Sequence, residues 1–226
     1  MKNDNMILKL DPHIHSSYSP DAISTPSEII KKSKELNLDI IGISDHNTIE
    51  GSQLALKETK NDDELLVMPS IEISSKYGHI LGFGIEEMVK RGLSAEETVD
   101  KIHELGGLAI VPHPYSYYRH GLFCKEKNKD LNIDGVETKN ARFILGYSNY
   151  KGKKLAEEKN IAELGSSDAH YKNFIMDCYS EIDCEKDIDS VLKAIKKRKT
   201  KALGNGTSNI MLTKYFYKKH IKKEFK

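Results

Sequence analysis

The segment Asp11-Pro12-His13-Ile14-His15 carries two imidazoles one residue apart. On extended backbone alternate side chains share a face, so His13 and His15 can grip one metal ion together. An H-x-H by itself equally describes two partly exposed histidines at a strand end. The rest of the chain decides, because the same donor types recur in Asp45-His46, Glu72, His79, His113 and Asp168-Ala169-His170. Imidazole and carboxylate suit Zn, Fe or Mn, and nothing in the chain resembles an all-oxygen calcium loop or a thiolate site. Five or six histidines with two or three carboxylates would saturate two or three ions rather than one. A multi-metal cluster of that kind can neutralise the charge that builds on a phosphoryl group.

Short strand-like and helix-like segments alternate to deliver these residues. Met6–Leu10 reads as a strand ending on Asp11–His15, and Asp39–Ser44 as a second ending on Asp45-His46. Leu65–Met68 leads into Ile71–Ser74, His79–Phe83 is a further apolar run, and Leu108–Val111 ends on Pro112-His113-Pro114. Ile133–Glu137 and Ile161–Leu164 complete the set, the latter feeding Gly165–His170. Helix starts are marked by Thr25-Pro26-Ser27-Glu28 and by Ser94 with Glu97 three residues on, both capping-box patterns. Helices are also expected near Ile49–Lys60, Tyr150–Lys159 and Asp187–Arg198. Seven strand-helix units argue for a parallel barrel or a doubly wound sheet. The polar residues follow the C-terminal ends of at least five strands, and a barrel brings those ends to one rim, where active sites are built.

The 226 residues, 38% hydrophobic and 31% charged, suit one domain with a full core. No apolar run reaches membrane-spanning length and the start has no apolar signal region, so a cytoplasmic protein is expected, with no membrane partner. Cys124, Cys178 and Cys184 lack C-x-x-C spacing and read as reduced thiols. The net charge of +1 hides an asymmetry: residues 193–226 hold twelve Lys and Arg against the single Glu224. A domain over 1–206 followed by a basic, helical tail over 207–226 is expected, the tail having an apolar stripe at Tyr217, Ile221 and Phe225. His103 and His220 read as surface residues.

Asp11–Ser16, Ile43–Thr48, Ile71–Ser74, Pro112–Pro114 and Ser167–His170 resemble, in order, the signature motifs of the PHP family, the polymerase and histidinol phosphatase domain of metal-dependent phosphoesterases. The resemblance spans about residues 6–206. It implies an α/β fold, a distorted (β/α)7 TIM-like barrel, with two to three divalent transition ions (Mn, Fe or Zn) at its mouth. Carried over by position, His13, His15, Glu72 and Asp168 hold a first ion, and Glu72 bridges to a second held also by His113. Asp21, His46 and His170 hold a third, and His79 is a further ligand. The implied reaction is attack of a metal-bound hydroxide on a phosphomonoester, with Asp168 and His170 catalytic and Asp168 orienting the water.

Phosphate needs cationic donors, and Arg offers a bidentate fork, which makes Arg119 and Arg142 the candidates for substrate binding. Asn140 joins them through the family's Glu-x-x-Asn stretch at Glu137–Asn140. Only one helix's worth of chain separates the strands at Phe83 and Leu108, so no large lid covers the mouth. The expected partner is a small phosphorylated metabolite such as a nucleotide or sugar phosphate. Nucleic acid is not favoured, because the basic tail offers only Tyr215, Phe216, Tyr217 and Phe225 as stacking residues. A nuclease of short oligonucleotides, a non-catalytic metal-binding module and a C–N hydrolase on a similar barrel are the alternatives. The sequence leaves oligomeric state open.

Overall fold

The computed structural model describes residues 6–125, 130–142, 147–208 and 212–213. Among them the strands are β1 (Ile7–Ile14), β2 (Ile40–Ile43), β3 (Leu66–Ser74), β4 (His79–Phe83), β5 (Leu108–Val111), β6 (Gly135–Asn140), β7 (Ala162–Ser166), β8 (Cys178–Asp183) and β9 (Thr200–Gly204). The helices are α1 (Pro26–Glu35), α2 (Glu50–Glu58), α3 (Ala95–Glu104), α4 (Tyr147–Lys159) and α5 (Ile188–Lys196). Both expected capping boxes form: Thr25 and Ser94 accept from the backbone of Glu28 and Glu97, whose carboxylates reach back to the cap N–H groups. The tail stripe at Tyr217, Ile221 and Phe225, and His220, lie outside the described residues.

The strands form one sheet in the order β7-β6-β5-β4-β3-β2-β1-β8-β9. Pairing is parallel through β1–β2–β3 and through β5–β6–β7. Strand β4 is antiparallel to both of its neighbours. The reason is the connection: only residues 75–78 join β3 to β4, enough for a hairpin and far too few for a parallel crossover. Strands β8 and β9, which the sequence reading placed in the domain without assigning them as strands, continue the sheet antiparallel beyond β1.

The sheet curls into a nearly closed, distorted barrel. The first half of β1 pairs with β8, whereas its far end bridges the chain just past β7, with Ile14 opposite Ala169 and the His15 N–H on the Ala169 carbonyl at 2.9 Å. Gly165 of β7 lies so close to the Tyr179 carbonyl of β8 that a Cβ would overlap it, so the seam closes only around glycine. The Ser180 hydroxyl stitches the same seam, accepting from Gly165 N at 2.9 Å and donating to its carbonyl at 3.0 Å.

One apolar layer fills the barrel interior: Leu8, Leu10, Ile40, Met68, Leu81, Phe83, Leu108, Ile110 and Leu164, closed off by Val191 and Ile195 of α5. Other apolar faces pack outward on the helices, Ile41, Ile43 and Val67 against α1 and α2, and Ile71, Val111 and Val136 against α3 and α4. Strict alternation would send His13 and His15 to the face opposite Leu8 and Leu10. A bulge in β1 resolves this, since Asp11 pairs with Ile41 and Ile14 with Ile43, three steps against two. The extra residue turns both histidines inward above the leucines. Reversing β1 instead would expose Leu8 and Leu10 at about 1.5–3 kcal/mol each. A second bulge, between Glu137 and Lys139 of β6, brings Glu137 and Asn140 to the same interior layer.

Candidate metal centre

Four buried side-chain atoms from three strand ends converge at the mouth: His13 Nε2, His15 Nε2, Glu72 Oε2 and Asp168 Oδ1. The two nitrogens are 2.9 Å apart; His13 Nε2 lies 3.5 Å from Glu72 and 3.7 Å from Asp168, and His15 Nε2 lies 3.2 Å and 3.5 Å from the same atoms. Donors at about 2.0–2.1 Å from a tetrahedral ion stand roughly 3.3–3.4 Å from one another. The five separations scatter around that value. Glu72 Oε2 and Asp168 Oδ1 are buried and make no well-aligned hydrogen bond among the described residues, their neighbours being imidazole nitrogens such as His46 Nδ1, 2.9 Å from Glu72 Oε2, and His15 Nε2, 3.5 Å from Asp168 Oδ1. Carboxylate oxygens so placed in a protein interior are costly, and a cation shared with those nitrogens would satisfy them.

Both oxygens of Glu72 are engaged by imidazoles on different sides. Oε1 lies 2.8 Å from His79 Nδ1 and 3.3 Å from His113 Nε2, while Oε2 lies 2.9 Å from His46 Nδ1. His46, Glu72 and His79 thus form a second donor group, and His15, His46 and His170 a third. Asp21 closes the third group, 2.8 Å from His170 Nε2 and 3.7 Å from His46 Nε2. His46 therefore stands between two groups, one for each ring nitrogen.

The supporting shell explains how these rings are aimed. Glu137, fully buried, accepts from His13 Nδ1 at 2.7 Å, Ser166 Oγ at 2.5 Å, His113 N at 2.8 Å and Asn140 Nδ2 at 2.8 Å. A carboxylate that only accepts fixes the proton on His13 Nδ1 and leaves Nε2 facing the centre. Asp45 accepts from Ser16 N, Ser16 Oγ and Ser19 Oγ, and the Ser19 hydroxyl also meets His15 Nδ1 and the His46 N–H. Asp11 accepts from Ser167 N and Met176 N and so pins the chain beside Asp168. His113 and Asp168 themselves have left-handed backbones, φ +31° and +50°. Such conformations are costly for residues with a Cβ and persist where surrounding contacts enforce them.

Charge is balanced locally. Burial opposes ionisation of Glu72, but His79, His13 and His46 outweigh it and hold its pKa well below the ordinary value. Burial likewise opposes ionisation of Asp168, and Arg119 with His13 overcomes it. Burial disfavours a charged His13, yet Asp168, Glu137 and Glu72 raise its pKa well above the usual range. His46 is raised to about 10 in the same way, Glu72 and Asp21 prevailing over desolvation. His113 and His170 go the other way: burial lowers both, and His15 and Arg142 add to it at His170. Burial alone pushes Asp11 up to about 6 against the backbone bonds it accepts.

All nine sequence-predicted metal donors, His13, His15, Asp21, His46, Glu72, His79, His113, Asp168 and His170, meet in this one constellation. The predicted substrate residues lie on it. Arg119 Nη2 donates to Asp168 Oδ2 at 2.7 Å, Asn140 Nδ2 reaches the same oxygen at 3.1 Å, and Arg142 Nη1 is 2.7 Å from His170 Nδ1. Sequence reasoning did not single out Glu137, Asp45 or Asp11 as parts of the site. Asp11 and Asp45 directly precede or border the histidine motifs, which is a signal of sorts. Glu137 opens the Glu-x-x-Asn stretch through which Asn140 was found, but its place beneath His13 depends on the β6 bulge. His103 is half-buried and bonded to Asp134 at 2.7 Å, away from the centre.

A barrel whose mouth gathers imidazoles and carboxylates from six strand ends is the architecture of a metal-dependent barrel hydrolase. The sequence profile of the PHP domain matches residues 11–225, and the chain belongs to that family of metal-dependent phosphoesterases. Protein MJ1587 of Methanocaldococcus jannaschii is 38% identical over 170 residues, covering 70% of this chain and 94% of the relative. Among solved structures, a two-domain Bacteroides vulgatus protein containing a predicted PHP-like metal-dependent phosphoesterase superposes with a TM-score of 0.75 at 16% identity, over 88% of this chain and 65% of that one. The lesion-specific endonuclease Q of Pyrococcus furiosus superposes at 0.67 with 19% identity, over 87% and 58%. The chain thus spans about two thirds of the first and less of the second, and both likenesses concern the fold. Among the described residues no helix is long and apolar enough to cross a membrane.

Proposed function

We propose that the chain hydrolyses a phosphomonoester with two to three transition ions, Mn, Fe or Zn, held by the nine donors. The observation that supports this most directly is the convergence of the buried donors His13, His15 and Asp168 on one point, with Glu72 Oε2 3.2 Å from His15 Nε2 and 3.5 Å from His13 Nε2. Glu72, with imidazoles beside each oxygen, would be shared between the first position and a second held also by His79 and His113. Asp21, His46 and His170 complete the third. Such ions supply Lewis acidity toward phosphoryl oxygens and lower the pKa of water.

The chain's own residues do the rest. Asp168 divides its labour: Oδ2 accepts from Arg119 and Asn140, which leaves Oδ1 on the side of His13 and His15, where it would hold an ion and orient a water. Arg119 and Arg142, both part-buried at the mouth, are the cations available to the substrate's phosphate. Arg142 also donates to His170 Nδ1, which puts the proton of a neutral ring on Nε2, where it faces Asp21 and would have to leave before that nitrogen could hold an ion. The substrate class is a nucleotide, sugar phosphate or similar metabolite.

The test is a screen of phosphomonoesters against protein loaded with Mn, Fe or Zn, beside Asp168→Asn and His13→Ala. Turnover that requires metal and disappears in both variants is expected. Metal analysis finding no bound transition ion in the loaded wild-type protein would overturn the reading.

A further inference from the structure

The described residues expose six tyrosines and no tryptophan or phenylalanine: Tyr18, Tyr77, Tyr117, Tyr118, Tyr147 and Tyr150. All six belong to connections at the C-terminal ends of parallel strands. Tyr18 follows β1, Tyr77 lies in the β3–β4 turn, Tyr117 and Tyr118 follow β5, and Tyr147 and Tyr150 open α4 after β6. These are the connections that carry Asp21, Glu72 with His79, Arg119 and Asn140. Tyr118, 93% exposed, directly precedes the arginine on Asp168. The α4 end is tied to the same place, since Asn149 bonds both backbone groups of Asn140 and Ser148 accepts from Tyr115 N. No exposed tyrosine among the described residues falls on the opposite end of the barrel.

Cations are interleaved with these rings. Lys76 Nζ sits 5.2 Å from the Tyr77 centroid, Lys151 Nζ 4.8 Å from Tyr147 and 5.1 Å from Tyr115, and Lys154 Nζ 5.0 Å from Tyr150. An ammonium covers one face of a ring and leaves it within reach of a phosphodiester. Alternating π-faces and cations along an open surface is the arrangement that binds single-stranded nucleic acid, bases on the rings and backbone on the charges. A single nucleotide would occupy one or two rings, whereas these lie on four connections around the rim. We infer that the tyrosine-lysine rim binds single-stranded oligonucleotide, so that the phosphomonoester presented to the centre is the terminal phosphate of such a strand. The inference rests on the phosphoesterase reading and puts a strand end in place of the small metabolite. It also moves the nucleic-acid contact from the C-terminal tail to the mouth.

The experiment is a fluorescence-anisotropy titration of the full chain into a fluorescein-labelled oligothymidylate of about ten nucleotides, with phosphorothioate linkages to prevent cleavage. Saturable binding is expected, with log affinity falling against log salt by about 0.7 per phosphate contact. Tyr118→Ala and Tyr150→Ala should each weaken binding by about five-fold or more, and Lys151→Ala with Lys154→Ala should flatten the salt slope. Thymidine 5′-monophosphate should compete only at far higher concentration than unlabelled oligomer. Unchanged affinity in both tyrosine variants, absence of binding at low salt, or equal competition by the monophosphate would overturn the inference. Nothing is hydrolysed in the titration, so the two readings fail separately: a metal-loaded protein active on small phosphomonoesters but unable to bind strand sinks only this one.

Discussion

Replacing Glu137 by Gln changes one oxygen of a carboxylate that touches no proposed metal position, yet the structure makes it consequential. Oε1 accepts from His13 Nδ1 and Ser166 Oγ, and Oε2 from His113 N and Asn140 Nδ2. Glutamine offers one acceptor oxygen: with its NH2 toward His113 N and Asn140 Nδ2 it faces two obligate donors and two buried hydrogen bonds are lost, whereas with its NH2 toward His13 and Ser166 both of those groups must turn from donor to acceptor. At about 1–3 kcal/mol for each buried group left unpaired, the former costs at least about 2 kcal/mol. For a chain of this length that is a fall in Tm of about 4–8 °C in the metal-free protein. If the NH2 faces His13, the ring must shift its proton to Nε2, the atom that faces the centre. Loss of an outer partner of a ligating imidazole typically weakens metal binding about 10–100-fold. Calorimetric melting in chelator and competitive metal titration read the two effects independently. A Glu137→Gln protein with wild-type metal affinity would refute the argument that this carboxylate sets the His13 tautomer, whatever happened to Tm.

Glu72→Gln should remove more than one ion per chain by elemental analysis, because both of its oxygens face imidazole groups; full metal content would mean that Glu72 is structural. Metal binding should release protons at neutral pH, since neighbouring carboxylates keep His13 and His46 protonated in the metal-free protein and a ligating nitrogen must shed its proton. Apparent affinity therefore rises with pH, and calorimetry in buffers of different ionisation enthalpy measures the release; a buffer-independent enthalpy would contradict it. Iodoacetamide at pH 8 should modify Cys124 alone in the native protein, because burial raises Cys178 to about 12 and Cys184 to about 11, leaving little thiolate at either. Mass spectrometry locates the label, and equal labelling of Cys178 would show that the β8–β9 pairing opens readily.

The donor set was legible in the amino-acid sequence because its information is local. Residue type names the chemistry, and His13-x-His15, Asp45-His46 and Asp168-x-His170 place donors directly after apolar runs that can only be buried strands. Helix starts were legible for the same reason: the Thr25–Glu28 and Ser94–Glu97 boxes close within four residues, and both formed. Strands β8 and β9 were not, since Cys178–Asp183 alternates too weakly with polar residues to stand out, and β9 lies on the barrel seam only because β8 pairs with the first half of β1. The antiparallel course of β4 follows from a turn of four residues, too short for the crossover that a parallel strand needs. What only the tertiary structure decided is which way the site faces. By alternation alone His13 would oppose Leu10, and Asn140 would oppose Glu137. Bulges in β1 and β6 reverse that, and a bulge is the outcome of a competition between distant parts of the chain. Leucines below seek the barrel core, imidazoles above seek Glu72, Glu137 and Asp168, and one inserted residue lets the same strand satisfy both.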